Sequence, residues 1–272
     1  MIDRIEQATH FRSLHDQPGA FLIPNPWDVG SARILEGMGF MALATSSAGY
    51  AFTRGLLDGH ISREQAISHI RELAEAVEIP ISADLENGFG NSPQDTAETI
   101  RAAGEAGAVG GSIEDSTGDA DKPIYEFLLA VERVAAAVEA ARALPFPFVL
   151  TARAENHLAG RRDLDDTIRR LTAFEAAGAD VLYAPGLPDL NAVRSVCGAL
   201  SKPVNVLIAG PLANHSVEEF AEAGAARLSL GSTLARHVLG HLNLAAREML
   251  DSETFGFMKV MGGRNVVDKF MR

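Results

Sequence analysis

Short apolar runs alternate with longer amphipathic segments along most of this 272-residue chain. Eight runs rich in apolar or β-branched residues are predicted strands: 21–24, 41–45, 79–84, 110–114, 146–153, 181–184, 204–208 and 227–230. Helices are predicted between them, for example over 63–77, 93–106, 126–143, 164–177 and 190–200. Their apolar residues recur three or four positions apart, as in a helix that covers a sheet. Eight β-then-α units predict one domain, 1–272, with the (β/α)₈ TIM-barrel fold.

Glycines mark where three of the predicted helices end, at Gly107, Gly178 and Gly224. Glycine is favoured just past a helix end because that position often needs a positive φ. An open, doubly wound sheet is the alternative architecture. It would need a Gly-rich phosphate-binding turn, and no G-x-G-x-x-G follows the first predicted strand. The pattern therefore favours the barrel.

Both ends of the chain extend beyond the eight units. Residues 1–17 are predicted to form a helix before the first strand, and residues 233–249 form another after the last. The remaining tail is rich in apolar side chains: Phe255, Phe257, Val260, Val266, Val267 and Phe270. So many apolar residues at a chain end suggest burial against another surface. We therefore predict that 233–272 is a C-terminal helical oligomerisation segment that packs on a neighbouring subunit.

Charge and composition limit the classes of partner. The net charge is −12 and no cluster of Lys and Arg is present, which argues against binding to nucleic acid or anionic membranes. No apolar run approaches the roughly 20 residues that span a bilayer. The first residues lack the apolar core of a signal peptide, and Cys197 has no second cysteine for a disulfide. These features predict a cytoplasmic protein with a small-molecule partner.

Functional side chains in such barrels lie at the C-terminal ends of the strands. That rule selects the following residues: Thr45, Ser46, Ser47, Asp84, Glu86, Glu114, Asp115, Arg153, Glu155, Tyr183, Asn205 and Ser229. Asp84, Glu86 and Glu114 would repel one another at one mouth without a cation. Carboxylates without neighbouring His or Cys favour Mg²⁺, with Mn²⁺ as the alternative, over zinc. The other interpretation is that these acids cap helices or pair with surface bases.

Two further features indicate an anion at the same mouth. Arg153 ends an apolar run, where its guanidinium can bind a carboxylate through two parallel hydrogen bonds. A structural ion pair with Glu114 or Glu155 is its alternative role. Residues 46–49 (S-S-A-G) form a small-residue turn whose backbone N–H groups suit an anionic group. Asp84 and Glu86 face the same side if the strand continues through both.

Five stretches of the chain carry a resemblance to a known family: 24–32, 45–48, 80–91, 112–115 and 151–155. They resemble the isocitrate lyase/phosphoenolpyruvate mutase superfamily, and the similarity extends over nearly the whole length. The most specific stretch is D-L-E-N-G-F-G-N at 84–91, against the family metal motif D-x-D-x-G-Y/F-G-N. Glu86 stands where aspartate is commoner, which keeps the charge and lengthens the side chain.

The resemblance implies a set of residue roles. Mg²⁺ would be bound by Asp84, with Glu86 and Glu114 acting directly or through water, and Asp58 matches an aspartate beside this metal. The catalytic residues would be Arg153, Asp58, Glu114 and Ser46. By the resemblance, Ser46, Ser47 and Arg153 would hold the carboxylate or oxyanion of a 2-oxo acid. Further candidates for binding the substrate are Ala48 beside them and, from the strand-end rule, Tyr183, Asn205 and Glu155. Family members are typically tetramers, dimers of dimers that exchange the last helix.

The loop after the fourth strand departs from the best-known family members. Isocitrate and methylisocitrate lyases carry K-K/R-C-G-H there, whereas this chain reads S-T-G-D-A-D-K-P at 116–123, with Lys122 as the only cation. The longer gating loop of the phosphonate enzymes is also missing. Neither of these well-known activities therefore transfers directly. From the shared metal site and Arg153 we expect a Mg²⁺-dependent lyase or decarboxylase that cleaves a C–C bond in an oxaloacetate- or methylisocitrate-like di- or tricarboxylate through a pyruvate-type enolate. The alternatives are a C–P bond enzyme acting on phosphonopyruvate or phosphoenolpyruvate, and a non-catalytic barrel that binds 2-oxo acids.

Overall fold

Eight parallel strands surround one axis in the computed structural model, which describes residues 3–263 and 267–271. The strands are β1 (Phe21–Ile23), β2 (Leu43–Ala44), β3 (Ile81–Asp84), β4 (Gly110–Glu114), β5 (Val149–Arg153), β6 (Val181–Tyr183), β7 (Val204–Leu207) and β8 (Arg227–Ser229). They pair in the order β1-β8-β7-β6-β5-β4-β3-β2. The remaining gap is bridged where the Ala44 N–H donates to the Pro24 carbonyl at 3.0 Å. The predicted (β/α)₈ barrel is confirmed.

Helices follow the strands on the outside of the barrel. The helices are α1 (Arg4–Leu14), α2 (Val29–Gly37), α3 (Ser47–Thr53), α4 (Arg63–Ala76), α5 (Pro93–Ala106), α6 (Phe127–Arg142), α7 (Leu164–Ala176), α8 (Leu190–Ala199), α9 (Val217–Glu222) and α10 (Thr233–Asp251). Capping boxes start α4, α5 and α9 at Ser62, Ser92 and Ser216. Each cap satisfies N–H groups that the first helical turn leaves without a partner.

Several strands are shorter than the apolar runs that predicted them. Strand β3 starts at Ile81, after Pro80, and β5 starts at Val149, after Pro147. Proline has no N–H to donate to a neighbouring strand, so it stands outside the paired region of a sheet. The carboxyl ends at Asp84, Glu114 and Arg153 agree with the prediction. These ends are the ones that determine the site.

Helix α1 closes the N-terminal end of the barrel. Its residues Phe11 and Leu14 pack with Ile23, Val109 and Val149 in one buried apolar cluster. Packing is close, because a Cβ placed on Gly110 would lie 2.7 Å from the Phe11 ring. The opposite, C-terminal end is left open as the mouth.

The glycine predicted to end α5 has the expected conformation. Gly107 has a φ of 121°, and a Cβ at this position would lie 2.5 Å from the Ala74 methyl group. Gly178 and Gly224 also have positive φ, at 105° and 94°. The prediction that these glycines terminate helices is confirmed.

The C-terminal segment is helical but little buried within the chain. On α10 the exposed apolar side chains include Val238, Leu239, Leu242, Leu244 and Leu250, and only Ala235 is a buried apolar residue. Phe255 and Val260 are also exposed, whereas the Phe270 ring packs on Gly37 of α2. Val266, which belongs to the predicted apolar tail, lies outside the described residues. Within the described ranges, no helix is both long and apolar enough to cross a membrane.

Candidate active site

A cavity of about 800 Å³ opens at the C-terminal end of the barrel. Strand ends and the loops after them supply its walls. It brings together these residues predicted from the sequence: Ser46, Ser47, Ala48, Asp58, Asp84, Glu86, Glu114, Arg153, Glu155 and Tyr183. Asn205 lies elsewhere, in the barrel interior below the mouth.

The loop after β2 holds Asp84 in place. The backbone N–H and the hydroxyl of Ser47 both donate to Asp84 Oδ2, at 3.1 and 2.9 Å, and the Asp84 N–H donates to Thr45 Oγ1 at 2.8 Å. The small-residue turn predicted over 46–49 is the start of α3, with Ser46 Oγ accepting from the Gly49 N–H. The N–H groups of Ser47 and Gly49 are therefore used within the chain.

Glu86 reaches the cavity by a route that the sequence did not predict. Strand β3 ends at Asp84, and Leu85 is completely buried in the wall. Glu86 then adopts a φ of 47°, in the left-handed region that non-glycine residues rarely occupy. The condition that the strand continues through both acids is not met. The left-handed turn, and not strand alternation, brings the Glu86 carboxylate beside Asp84.

Arg153 lies among the acids. Its Nη1 is 3.1 Å from Glu114 Oε2 and 3.8 Å from Asp84 Oδ1, and its Nε donates to Glu155. Its guanidinium also lies over the Tyr183 ring, 5.3 Å from the ring centre. The structural ion pairs considered as an alternative for Arg153 are therefore present in this conformation.

Crowding and burial raise the proton affinity of these carboxylates. Burial, with the charges of Asp84 and Asp58, raises the pKa of Glu86 to about 8. Burial also raises the pKa of Glu114 well above its ordinary value, against the opposing charge of Arg153. Burial of the carboxylate and the charge of Asp84 raise the pKa of Asp58, although much of this residue is exposed at the rim. The mouth holds more negative charge than its own cations balance.

Tyr183 and Asn205 have different surroundings. Tyr183 ends β6 and lines the mouth, and burial raises the pKa of its phenol to about 12. Asn205 accepts a hydrogen bond from Arg227 Nε at 2.9 Å and donates one to Ser229 Oγ at 2.9 Å. The Asn205 amide is thus bonded at both ends in a small interior cavity that Tyr183 also lines, and of these two residues only Tyr183 also lines the mouth.

Asp115, the neighbour of Glu114, supports the site from behind. Its carboxylate accepts from the Glu155 N–H at 2.7 Å and pairs with Arg170 at 3.0 Å in a buried salt bridge. Burial raises the pKa of Asp115 to about 6, while its bonds to the Glu155 N–H and Arg170 oppose that shift. Of the two adjacent acids, Glu114 points into the cavity and Asp115 anchors the strand end.

Several cavity residues were not predicted from the sequence. They include Ile61, Arg63, Phe89, Leu158, Leu207 and Ser232. Leu158 and Leu207 come from the loop after β5 and from β7, and apolar residues at such positions have no signal that separates them from core residues. Lys122, the only cation of the 116–123 stretch, is exposed in the loop after β4, which a bridge between Ser116 and Ile124 folds back. Lys122 is not among the residues that line the cavity.

The donor set at the mouth fits a hard divalent cation. Asp84 Oδ1 and Glu86 Oε1 are buried oxygens without a hydrogen-bond partner among the described residues. As placed, no three His, Cys, Asp or Glu side chains in the described ranges are grouped closely enough to hold an ion alone. Mg²⁺ commonly uses one or two carboxylates and keeps several waters. Asp84 and Glu86 with water therefore suit Mg²⁺ better than a site made entirely of protein ligands.

A TIM barrel with acidic strand ends around one arginine defines a class of barrel suited to metal-assisted chemistry on small anions. A protein-family profile described as phosphoenolpyruvate phosphomutase matches residues 11–250. The chain belongs to this family, within the phosphoenolpyruvate mutase/isocitrate lyase superfamily. The resemblance identified from the motifs is confirmed.

The chain is also similar to individual proteins. A crystal structure from Burkholderia cenocepacia J2315, provisionally described as a lyase/mutase, is 55% identical, with a TM-score of 0.95 over 99% of this chain and 97% of that one. An uncharacterised protein of Mycobacterium tuberculosis H37Rv is 31% identical over 89% of this chain and 90% of its own length. A 2-methylisocitrate lyase of Bacillus subtilis strain 168 is 28% identical, covering 80% and 73% of the two chains.

Proposed function

We propose that this protein is a Mg²⁺-dependent lyase that breaks a C–C bond in a 2-oxo or 2-hydroxy di- or tricarboxylate. Oxaloacetate-like and methylisocitrate-like acids are the proposed substrate class. A 2-oxo acid would break its C3–C4 bond and leave a pyruvate-type enolate, whereas a 2-hydroxy acid would break its C2–C3 bond, release a pyruvate-type 2-oxo acid and leave the electron pair on the departing carboxylate fragment. The observation that carries this proposal is the group of carboxylates around Arg153, in which Asp84 Oδ1 and Glu86 Oε1 are buried without hydrogen-bond partners among the described residues. The names 2-methylisocitrate lyase and oxaloacetate decarboxylase among relatives of 28% identity support the reaction class.

Asp84 and Glu86 are the residues that would hold the metal, with Glu114 acting directly or through water. Two hydrogen bonds from Ser47 fix one oxygen of Asp84, and the other oxygen, which has no hydrogen-bond partner among the described residues, would be available to a cation. When bound, the metal would supply Lewis-acid stabilisation of negative charge on the C2 oxygen: the enolate charge left when a 2-oxo acid breaks its C3–C4 bond, or the alkoxide charge of a 2-hydroxy acid before its C2–C3 bond breaks. Mn²⁺ has the same preference for oxygen ligands and is the alternative ion.

The chain's own side chains would bind and orient the substrate. Arg153 presents several N–H donors at the centre of the mouth, where it would bind a substrate carboxylate or the developing oxyanion in place of part of its contact with Glu114. The Tyr183 phenol stays protonated across the neutral range, because its pKa is about 12, and can donate a hydrogen bond. Ser46, Ala48 and Asp58 complete the wall on the β2 side.

A substrate panel tests the proposal. Purified protein is incubated with Mg²⁺ and oxaloacetate, 2-methylisocitrate, dimethylmalate or phosphonopyruvate, and pyruvate or phosphoenolpyruvate is followed by a coupled assay. EDTA-sensitive cleavage of one of the first three supports C–C lyase activity, whereas turnover of phosphonopyruvate alone would assign the C–P reaction instead. Inactivity on all four, together with metal-dependent binding of oxalate, would assign a binding function and contradict the proposed lyase.

We also propose that the protein works as a homo-oligomer, a dimer of dimers, in the cytoplasm. The row of exposed apolar side chains on α10, including Leu239 and Leu242, supports an interface with another copy. The exchange of the last helix between subunits, expected from the resemblance, would cover this row.

A further inference from the structure

Arg133 is a buried cation on the outer helix α6, away from the cavity walls. It is 1% exposed, and its guanidinium donates to three backbone carbonyls of one loop. Nη1 is 2.8 Å from the Gly90 oxygen and 3.2 Å from the Ser92 oxygen, and Nη2 donates to the Asn87 carbonyl. All three acceptors belong to the segment that follows Glu86.

No acidic partner accounts for the burial of this arginine. Among the described residues, no salt bridge involves Arg133. Its guanidinium stacks over the Tyr125 ring at 4.2 Å, and the Tyr125 hydroxyl donates to Asn91 Oδ1 at 2.6 Å in the same loop. A buried charge is costly unless its donors are satisfied. Here the carbonyls of Asn87, Gly90 and Ser92 accept three of its N–H donors, while the buried Nε has no hydrogen-bond partner among the described residues.

The segment that Arg133 holds has an unfavourable backbone conformation. Glu86 and Phe89 have φ values of 47° and 57°, and Gly88 lies between them at 81°. Non-glycine residues in this region cost about 1–3 kcal/mol each and persist only when their surroundings hold them there. Thr99 Oγ1 adds one further bond, to the Gly88 carbonyl at 2.8 Å. Among the described residues, Arg133 makes more hydrogen bonds to this loop than any other side chain does.

We propose that Arg133 is a positioning residue for the metal site: it holds the 87–92 loop so that Glu86 keeps its left-handed conformation and its carboxylate faces Asp84. This inference rests on the proposed function, because it assumes that Glu86 contributes to metal binding. Arg133 does not touch the cavity and acts only through the loop. Residues that support metal ligands in this way typically change metal affinity by about 10- to 100-fold when they are removed.

The first measurement is Mn²⁺ binding to the metal-free protein by electron paramagnetic resonance of the free ion, which needs no substrate. We expect R133M to weaken Mn²⁺ binding by about 10-fold or more. R133K keeps the charge but not the planar fork, so it should bind Mn²⁺ with intermediate affinity. If R133M does not fold, R133K carries the test. Amide hydrogen exchange in R133M or R133K should accelerate in residues 86–92 and not across the barrel.

A double-mutant cycle separates positioning from general destabilisation. The effect of R133M on Mn²⁺ affinity should largely disappear in an E86Q background, because Arg133 acts through Glu86. F174L is the matched control, since Phe174 is fully buried in the apolar cluster beside β5 and β6 and should cost stability without weakening Mn²⁺ binding. Unchanged Mn²⁺ affinity in R133M and R133K would overturn the positioning role of Arg133 and leave the proposed metal site standing. The same conclusion would follow if the effects of R133M and E86Q on Mn²⁺ affinity were fully additive. Wild-type protein that fails to bind Mn²⁺ would overturn the proposed metal site as well.

Discussion

Ser47 binds Asp84 through two donors, its backbone N–H at 3.1 Å and its hydroxyl at 2.9 Å, and both contact Oδ2. The other oxygen, Oδ1, is buried and has no hydrogen-bond partner among the described residues, although Arg153 Nη1 lies 3.8 Å away. Asp84 is therefore held by one oxygen and free to bind a cation with the other. The hydrogen-bonded oxygen and the unpartnered oxygen belong to the same Asp84 carboxylate, so the isosteric substitution D84N tests both features.

Replacing Asp84 by Asn should abolish most metal-dependent activity. The introduced asparagine can keep its side-chain oxygen towards the two Ser47 donors, which turns its NH₂ group towards the cation position. We expect the Mg²⁺ activation constant to rise and kcat/KM to fall at least about 100-fold, because a direct ligand should matter no less than its supporting residues. The measurement is a Mg²⁺ titration of steady-state rates with the panel substrate that turns over.

The matched control for D84N is D180N. Asp180 pairs with Arg12 and Arg142, at 3.1 and 2.7 Å, outside the mouth cavity. D180N should lower the melting temperature and leave the Mg²⁺ response unchanged. A D84N protein with the metal response of the wild type would contradict the assignment of Asp84 as a ligand.

Replacing Arg153 by Lys should reduce catalysis more than stability. Lysine keeps the positive charge between Glu114 and Glu155, but a single ammonium cannot reproduce the fork of N–H donors. We expect kcat/KM to fall by about 10²- to 10³-fold, as for the loss of a preorganised oxyanion donor. R142K, which alters an ion pair with partly exposed Arg142, should leave kcat/KM unchanged. Equal activity of R153K and wild type would exclude Arg153 from the reaction.

The buried histidine below the barrel should make stability fall in acid. His15 Nδ1 donates to the Phe11 carbonyl at 2.9 Å, and Nε2 must accept from Arg227 at 3.3 Å because arginine only donates. Burial, with the charge of Arg227, lowers the pKa of His15 from 6.5 to about 3. Since the folded-state pKa of His15 is depressed, the stability that neutral His15 contributes is fully present above about pH 6.5. That contribution is lost as the pH falls towards 3. Each pH unit in this window costs about 1.4 kcal/mol, because the unfolded chain takes up the proton first.

Urea unfolding of wild type and H15Q measures this loss. Between about pH 6 and about pH 4, the free energy of unfolding of H15Q should fall less steeply than that of wild type, by about 1.4 kcal/mol per pH unit. H10Q, a substitution at an exposed histidine of the same helix, is the control. Identical slopes for wild type and H15Q would show that His15 takes up no additional proton on unfolding.

Charging the exposed face of α10 should break the proposed oligomer. Leu242 is 63% exposed within the chain, so a glutamate there costs the subunit fold little, but it would place a charge in an apolar interface. L242E should sediment as a smaller species with an unchanged circular dichroism spectrum. L128E is the control, because Leu128 is 73% exposed on α6. Sedimentation of L242E at the wild-type position would contradict an interface on this face.

The fold and the acids of the site were predictable from local patterns. Alternating strand and helix signals are short-range, and parallel strands necessarily bring their carboxyl ends to one edge. Asp84, Glu114 and Arg153 therefore met at the mouth as predicted, at strand ends that the structure places at the same residues. The position of Asp58 at the cavity and the identity of the family were predicted from the motif resemblance. Periodicity and the strand-end rule do not by themselves identify either.

Other features depended on contacts between residues far apart in the sequence. The left-handed turn at Glu86 precedes a loop that Arg133, on the distant helix α6, holds through its backbone carbonyls. Asn205 is bonded to Arg227 and Ser229, which a strand-end rule cannot foresee.

The sequence by itself determined the barrel, the acids at its mouth and the family, because periodicity and motifs are local properties of the chain. Only the tertiary structure decided which oxygen of Asp84 is free, how Glu86 turns inward, and that Arg153 is surrounded by carboxylates. Those outcomes depend on hydrogen bonds and burial between separate elements, whose energies arise only when the chain is folded.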